Sequence, residues 1–147
     1  MSPTSLRITN RLEEMDIASI HRFLTRDSTW ARGISFETVR KSLQHSLCFA
    51  GFVGASQVAF ARVISDFATF ANLVDVFVLP GHRGRGYGKQ LMAAVVGHPE
   101  LQGLRRFTLA TSDAHGLYAP FGFKPLAQPY TFMERYDPEI YARPSGS

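Results

Sequence analysis

Apolar residues stand at Ile17, Ile20, Phe23 and Leu24, with His21 among them, at a spacing of helical period, and Asp16 precedes them as an N-cap. A second helix is expected from its cap, Ser35, to about residue 44, with Glu37 in the first turn where the helix dipole favours negative charge. The pattern then changes. Residues 47–53 and 57–64 are nearly continuous apolar runs around Gly54-Ala55-Ser56, and they read as a β-hairpin. Asn72–Leu79 is a third such run, rich in β-branched and aromatic residues and ended by Pro80-Gly81. Helical period returns over Lys89–Val96, through Leu91, Met92, Val95 and Val96. Residues 4–9 and 106–111 read as further strands. Ser112 or Asp113 is the expected cap of a short helix ending near Pro120, and Phe123–Leu126 and Tyr130–Glu134 read as short terminal strands. The order predicts a mixed α/β sheet with helices on both faces. Residues 1–136 are expected to form one domain, and 137–147, with two prolines and no period, a loose C-terminal tail.

Composition changes this picture little. The chain has 147 residues, 45% of them apolar and 19% charged, an ordinary globular balance. Its formal charge of +4 admits an anionic ligand as readily as nucleic acid. Arg83, Arg85, Arg105 and Arg106 accompany no zinc spacing, helix-turn-helix pattern or basic–aromatic sheet motif, so no nucleic-acid partner is expected. The single cysteine, Cys48, lies in an apolar stretch. It can form no internal disulfide, which points to a reducing compartment and a small buried hydrophobe. His21, His45, His82 and His98 show no metal-ligand spacing, so no metal is expected. No basic-then-apolar leader opens the chain, and no apolar run approaches the roughly 20 residues of a membrane helix. The expectation is a cytoplasmic protein without a membrane partner.

The segment Val76-Phe77-Val78-Leu79-Pro80-Gly81-His82-Arg83-Gly84-Arg85-Gly86-Tyr87-Gly88-Lys89 carries the most chemistry. A buried strand ends, a helix begins, and Gly84, Gly86 and Gly88 alternate in the turn. Glycine permits left-handed or crowded backbone, so several N–H groups can point into one concavity at the positive end of a helix dipole. Such a turn binds phosphate, and Arg83, Arg85 and Lys89 add charge. A Walker A loop fails twice, because Arg83 stands where its first glycine belongs and Gln90 follows Lys89. A dinucleotide fingerprint fails on the spacing of the last glycine. The plain alternative is a tight strand–helix connection with surface arginines.

Arg83-Gly84-Arg85-Gly86-Tyr87-Gly88 fits the coenzyme A loop of acetyltransferases, Arg/Gln-x-x-Gly-x-Gly/Ala. Further on, Ala114 to Phe123 fits an Ala-x-x-x-Tyr-x-x-x-Gly-Phe pattern through Tyr118, Gly122 and Phe123. With these two motifs the sequence resembles the GNAT superfamily of N-acetyltransferases over residues 4 to about 135, and residues 28–33 and 71–79 resemble a bacterial subgroup of it. The resemblance implies a GNAT-type α/β fold, with a mostly antiparallel sheet of 6–7 strands and a splayed parallel strand pair that holds acetyl-CoA. It also implies that backbone groups of Val76, Phe77 and Val78 pair with the pantetheine arm, Val76 N–H polarising the thioester carbonyl. Arg83, Gly84, Arg85, Gly86, Tyr87, Gly88 and Lys89 would hold the pyrophosphate through their N–H groups. Thr111 stands where many relatives carry an asparagine that touches pantetheine.

Tyr118 is the candidate general acid, since a phenol with a pKa near 10 stays protonated at neutral pH and can protonate a departing thiolate. Many relatives carry a catalytic glutamate eleven residues before the position of Arg83, where this chain has Asn72. Asp75, a carboxylate inside an apolar strand, is a candidate base or acceptor anchor, or else the tie that holds a loop or an arginine. Trp30 is a candidate wall of the acceptor pocket. His115 reads as a surface or capping residue. The function so read is direct acetyl transfer from acetyl-CoA to a primary amine on a small molecule or a protein, with a homodimer through the last strands expected by analogy. The alternative is a catalytically inactive CoA-binding regulatory module.

Overall fold

A computed structural model describes residues 5–143. Five strands, β1 (Arg7–Thr9), β2 (Leu47–Val53), β3 (Ser56–Ser65), β4 (Phe70–Val78) and β5 (Arg106–Leu109), form one sheet in sequential order. The first four run antiparallel, and β5 lies parallel to β4. Four helices accompany them: α1 (Ile17–Arg22), α2 (Phe36–Gln44), α3 (Tyr87–Val96) and the single turn α4 (His115–Tyr118). Asp16 and Ser35 cap α1 and α2 through bonds accepted from Ser19 N–H and Thr38 N–H. α1 widens at its end into one π turn, Phe23–Asp27, which delivers the chain to the loop carrying Trp30.

The strands β2 and β3 are buried on both faces, and their alternation divides the core. Cys48, Ala50 and Phe60 meet Ile20, Leu24, Val39 and Leu43 from α1 and α2. Phe49, Ala61 and Val63 meet Leu91, Met92 and Val95 from α3. Burial pushes the Cys48 thiol up to about 12. At pH 8 a thiol-exchange reagent should therefore leave the folded protein unmodified and titrate one thiol after denaturation; rapid reaction with folded protein would contradict this packing.

Three expectations need correction. The sheet has five strands rather than 6–7, because neither Phe123–Leu126 nor Tyr130–Glu134 forms a strand. Pro125 lacks an N–H and interrupts the first, while Pro129 opens a 3₁₀ turn that draws in Tyr130 and Thr131. The short helix is capped by neither Ser112 nor Asp113; the Thr111 hydroxyl accepts from Ala114 N–H, and the helix starts at His115. The first strand begins at Arg7, with Thr4 outside the described residues. In the C-terminal segment, residues 140–142 make a 3₁₀ turn and Arg143 pairs with Asp137. The Tyr141 carbonyl oxygen lies 2.8 Å from where a Cβ on Gly33 would stand, so this crossing needs glycine.

Candidate active site

The parallel pair β4–β5 is short. Its register runs from Phe70↔Arg106 to Leu73↔Leu109, after which β4 continues to Val78 without β5. A bulge lies in this overrun. On β3, Phe60 faces Phe77 and Arg62 faces Val74, so Asp75 and Val76 both stand opposite Ala61. Asp75 takes the left-handed conformation, φ 55°, that such an insertion needs and that side chains rarely adopt. The extra residue reverses the alternation. Ala71 and Leu73 face α3 before the bulge, and Val76 and Val78 face the same cluster after it. A bulge also sharpens local twist, which helps β4 part from β5.

Asp75 is held from two sides. The Trp30 indole N–H donates to Oδ1 at 2.9 Å, and the Arg62 Nε–H donates to Oδ2 at 2.9 Å. Arg62 also donates to the Ser46 hydroxyl at 3.0 Å. The pair is largely buried, with side-chain exposures of 15% for Arg62 and 10% for Asp75. Asp75 thus ties both a loop and an arginine to the bulge. Arg62 and Ser46 were not singled out in the sequence, although a charge inside each of two neighbouring apolar strands is the signal for such a pair. Asp75→Ala leaves Arg62 buried without its partner, which typically costs about 3–5 kcal/mol. Thermal denaturation should show a clearly lower Tm; an unchanged Tm would contradict the tie.

Trp30 keeps 51% of its surface exposed although its N–H is fixed, and its ring leans on Phe23 at 6.3 Å. Asn72 sits earlier in β4, where its Oδ1 accepts from the Thr108 hydroxyl at 2.8 Å. Its amide NH₂ has no partner among the described residues.

Beyond Val78 the chain makes a 3₁₀ turn, Pro80–His82, and reaches Gly84 and Gly86 at φ 78° and 80°. A Cβ at either glycine would meet no atom within 4 Å, so both line open space. Gly86 is the N-cap of the ten-residue helix α3 and offers no side chain to its first N–H groups. Those groups remain available to an anion. Arg85 and Lys89 are exposed beside them. Arg83 donates from Nε to the Val78 carbonyl at 2.9 Å, fixing the turn to the end of β4. The Tyr87 side chain is a core residue, leaving only its backbone for a ligand. An open strand edge leading into a glycine cradle fits the pantetheine and pyrophosphate of acetyl-CoA.

Tyr118 ends α4 and is 8% exposed. Its hydroxyl makes no hydrogen bond among the described residues. Burial, and secondarily the charge of Asp113, push its pKa up. Together with Thr111 it lines a groove of about 930 Å³ along β5. His115 is exposed, and no group of three metal-ligating side chains occurs among the described residues.

The family model of the GNAT acetyltransferase domain matches residues 44–125, more than half of the chain. The chain belongs to the GNAT acetyltransferase family. The GNAT domain is similar over 95% of its length, at 58% identity and a TM-score of 0.92, to 98% of a solved Xanthomonas campestris pv. campestris protein described as a candidate GNAT acetyltransferase. It is 29% identical over 126 residues, 71% of this chain and 70% of the other, to a candidate acetyltransferase of Gibberella zeae. The same fold, at 14% identity and a TM-score of 0.65, occurs in a Clostridium acetobutylicum protein solved with acetyl-CoA, covering 90% of this chain and 95% of that one. No helix among the described residues is long and apolar enough to cross a membrane.

Proposed function

We propose that this GNAT domain transfers acetyl from acetyl-CoA directly to a primary amine, and that it works as a homodimer. The observation that carries the reading is the overrun of β4 past β5, leading into the left-handed glycines at the start of α3. Bound acetyl-CoA supplies the acetyl group as a thioester. Backbone groups of Val76, Phe77 and Val78 pair with its pantetheine arm, and the Val76 N–H donates to the thioester oxygen as charge develops there. The N–H groups from Arg83 to Lys89, with the Arg85 and Lys89 charges, hold the pyrophosphate. Thr111, its hydroxyl committed to Ala114, borders the pantetheine.

Tyr118 gives its proton to the departing thiolate sulfur. Its raised pKa keeps the phenol protonated through neutral pH. On the acceptor side, the exposed indole face of Trp30 forms a wall, and Asp75 anchors that wall through Oδ1. Asn72 holds a water through its amide, and the incoming ammonium passes its proton through that water to solvent; the freed amine attacks the thioester carbon, the C–S bond breaks as Tyr118 protonates the sulfur, and solvent returns a proton to Tyr118. The acceptor is a primary amine on a small molecule or a protein. The test follows CoA thiol release from acetyl-CoA against a broad amine panel. Amine-dependent release supports the reading, and release that ignores every amine contradicts it.

A further inference from the structure

Two ties set the indole of Trp30, and both end beside Val76. Its N–H is held at 2.9 Å by Asp75, the residue before Val76. Its ring leans on Phe23, which stacks at 3.9 Å and 11° on Phe77, the residue after Val76. About half of the residue's surface nevertheless stays open. An exposed apolar side chain alone signifies little. This one is held in a single orientation, as a recognition surface requires. The wall is thereby registered to the backbone N–H assigned to the thioester.

The charges around the wall narrow what can lie on it. Asp75 presents no free carboxylate to an ammonium. One oxygen takes the Trp30 N–H, the other takes the Arg62 Nε–H at 2.9 Å, and Arg62 is fixed in turn on the Ser46 hydroxyl. Asn72 is uncharged. The segment that carries Trp30 exposes Arg22, Arg26 and Arg32 against Asp27. The C-terminal segment that crosses it at Gly33 adds Glu139 and the paired Asp137 and Arg143, so positive charge still prevails. An ammonium can be drawn to an indole face, but a polycation meets those arginines as it approaches.

Building on the acetyl-transfer reading, we propose that the acceptor is an arylalkylamine. Its uncharged aromatic ring stacks on the Trp30 indole, and a short alkyl arm carries the amine to the thioester beside Val76. The arm is short because Asp75, which holds the indole, is bonded to Val76. The transfer is the one given above: the amine nitrogen gains the acetyl carbon, and the thioester sulfur leaves with a proton. Aromatic pairing of this kind is worth about tenfold in affinity.

The test uses the single tryptophan of the chain, whose emission reports on this wall alone. With CoA present and no acetyl donor, phenethylamine should change the Trp30 emission in a saturable titration, and spermidine at the same concentrations should not. In turnover with acetyl-CoA, kcat/KM should be higher for phenethylamine than for ethylamine or spermidine. Trp30→Ala should cut the phenethylamine-to-ethylamine ratio about tenfold, chiefly through KM. A residue that served only the fold would lower both amines together and leave the ratio intact. A flat titration with phenethylamine overturns the proposal. So does an unchanged ratio in Trp30→Ala of native circular dichroism, or a preference for spermidine. A saturable phenethylamine titration without acetylation of any amine would support the recognition surface and fail the transfer reading instead.

Discussion

Tyr118→Phe should lower acetyl transfer by roughly 10²–10⁴-fold, the usual worth of a positioned general acid. The substitution removes one oxygen and keeps the ring, which meets Phe123 edge-on at 6.2 Å. The hydroxyl has no hydrogen-bond partner among the described residues, so its loss orphans nothing and the fold should keep its stability. Acetyl-CoA should bind nearly as before, because the proposed pyrophosphate site is the backbone around Gly84 and Gly86 and does not include the phenol. The pH profile separates an acid from a packing residue. Burial first, and Asp113 second, raise the phenol above its ordinary value near 10. The active form is the protonated one, so turnover in the unaltered enzyme falls as pH climbs through the raised pKa. In the Phe variant that fall should disappear. The same shift bears on folding: the stability that comes with a neutral buried phenol is present below pH ~10 and lost as pH rises through the folded value. Full turnover by folded Tyr118→Phe would remove Tyr118 from the mechanism.

Gly86→Asp should all but abolish acetyl-CoA binding while the protein stays folded. A Cβ at Gly86 meets no atom within 4 Å, so no clash is introduced. The left-handed backbone at φ 80° costs an L-residue roughly 1–2 kcal/mol, with Asp among the more tolerant. The larger effect is electrostatic. A carboxylate enters the cradle at the N-terminus of α3, where two like charges about 4 Å apart repel by about 4 kcal/mol near a protein surface. That corresponds to about a thousandfold in affinity. Gly86→Ala isolates the backbone contribution and should weaken binding far less. Calorimetric titration of both variants checks the ordering; unchanged affinity in folded Gly86→Asp would contradict the cradle.

Much of the fold was legible because local signals agreed with tertiary packing. Ser35 capped α2, and the hairpin of β2 and β3 fell within a residue of its expected bounds, because long apolar runs leave little choice of partner. The turn before α3 was legible because alternating glycines permit the left-handed backbone that Gly84 and Gly86 adopt. The terminal strands were misplaced for a physical reason. Strand propensity at Tyr130–Glu134 says only that a segment suits a pleated surface, and within one copy no neighbouring edge takes it up. The bulge at Asp75–Val76 was invisible, since alternation in Val74–Val78 cannot show that β4 carries one residue more than β3 opposite it. The partners of Asp75 were invisible as well, because Trp30 and Arg62 lie 45 and 13 residues away in sequence. Tyr87, read as part of the loop, faces the core because it is the first residue of α3 and packs in the same cluster as Leu91.

The most direct measurement follows the acetyl group itself. The full-length protein is incubated with acetyl-CoA isotopically labelled in the acetyl group and a panel of primary amines, and the products are resolved by mass spectrometry. The account predicts that label appears as an amide on the amino nitrogen of at least one acceptor, with one free CoA thiol for each amide formed and little of either in the Tyr118→Phe variant. Tight binding of acetyl-CoA with no labelled amide from any amine, and thiol release no faster than in buffer, would contradict it and mark the domain as a CoA-binding module without catalysis.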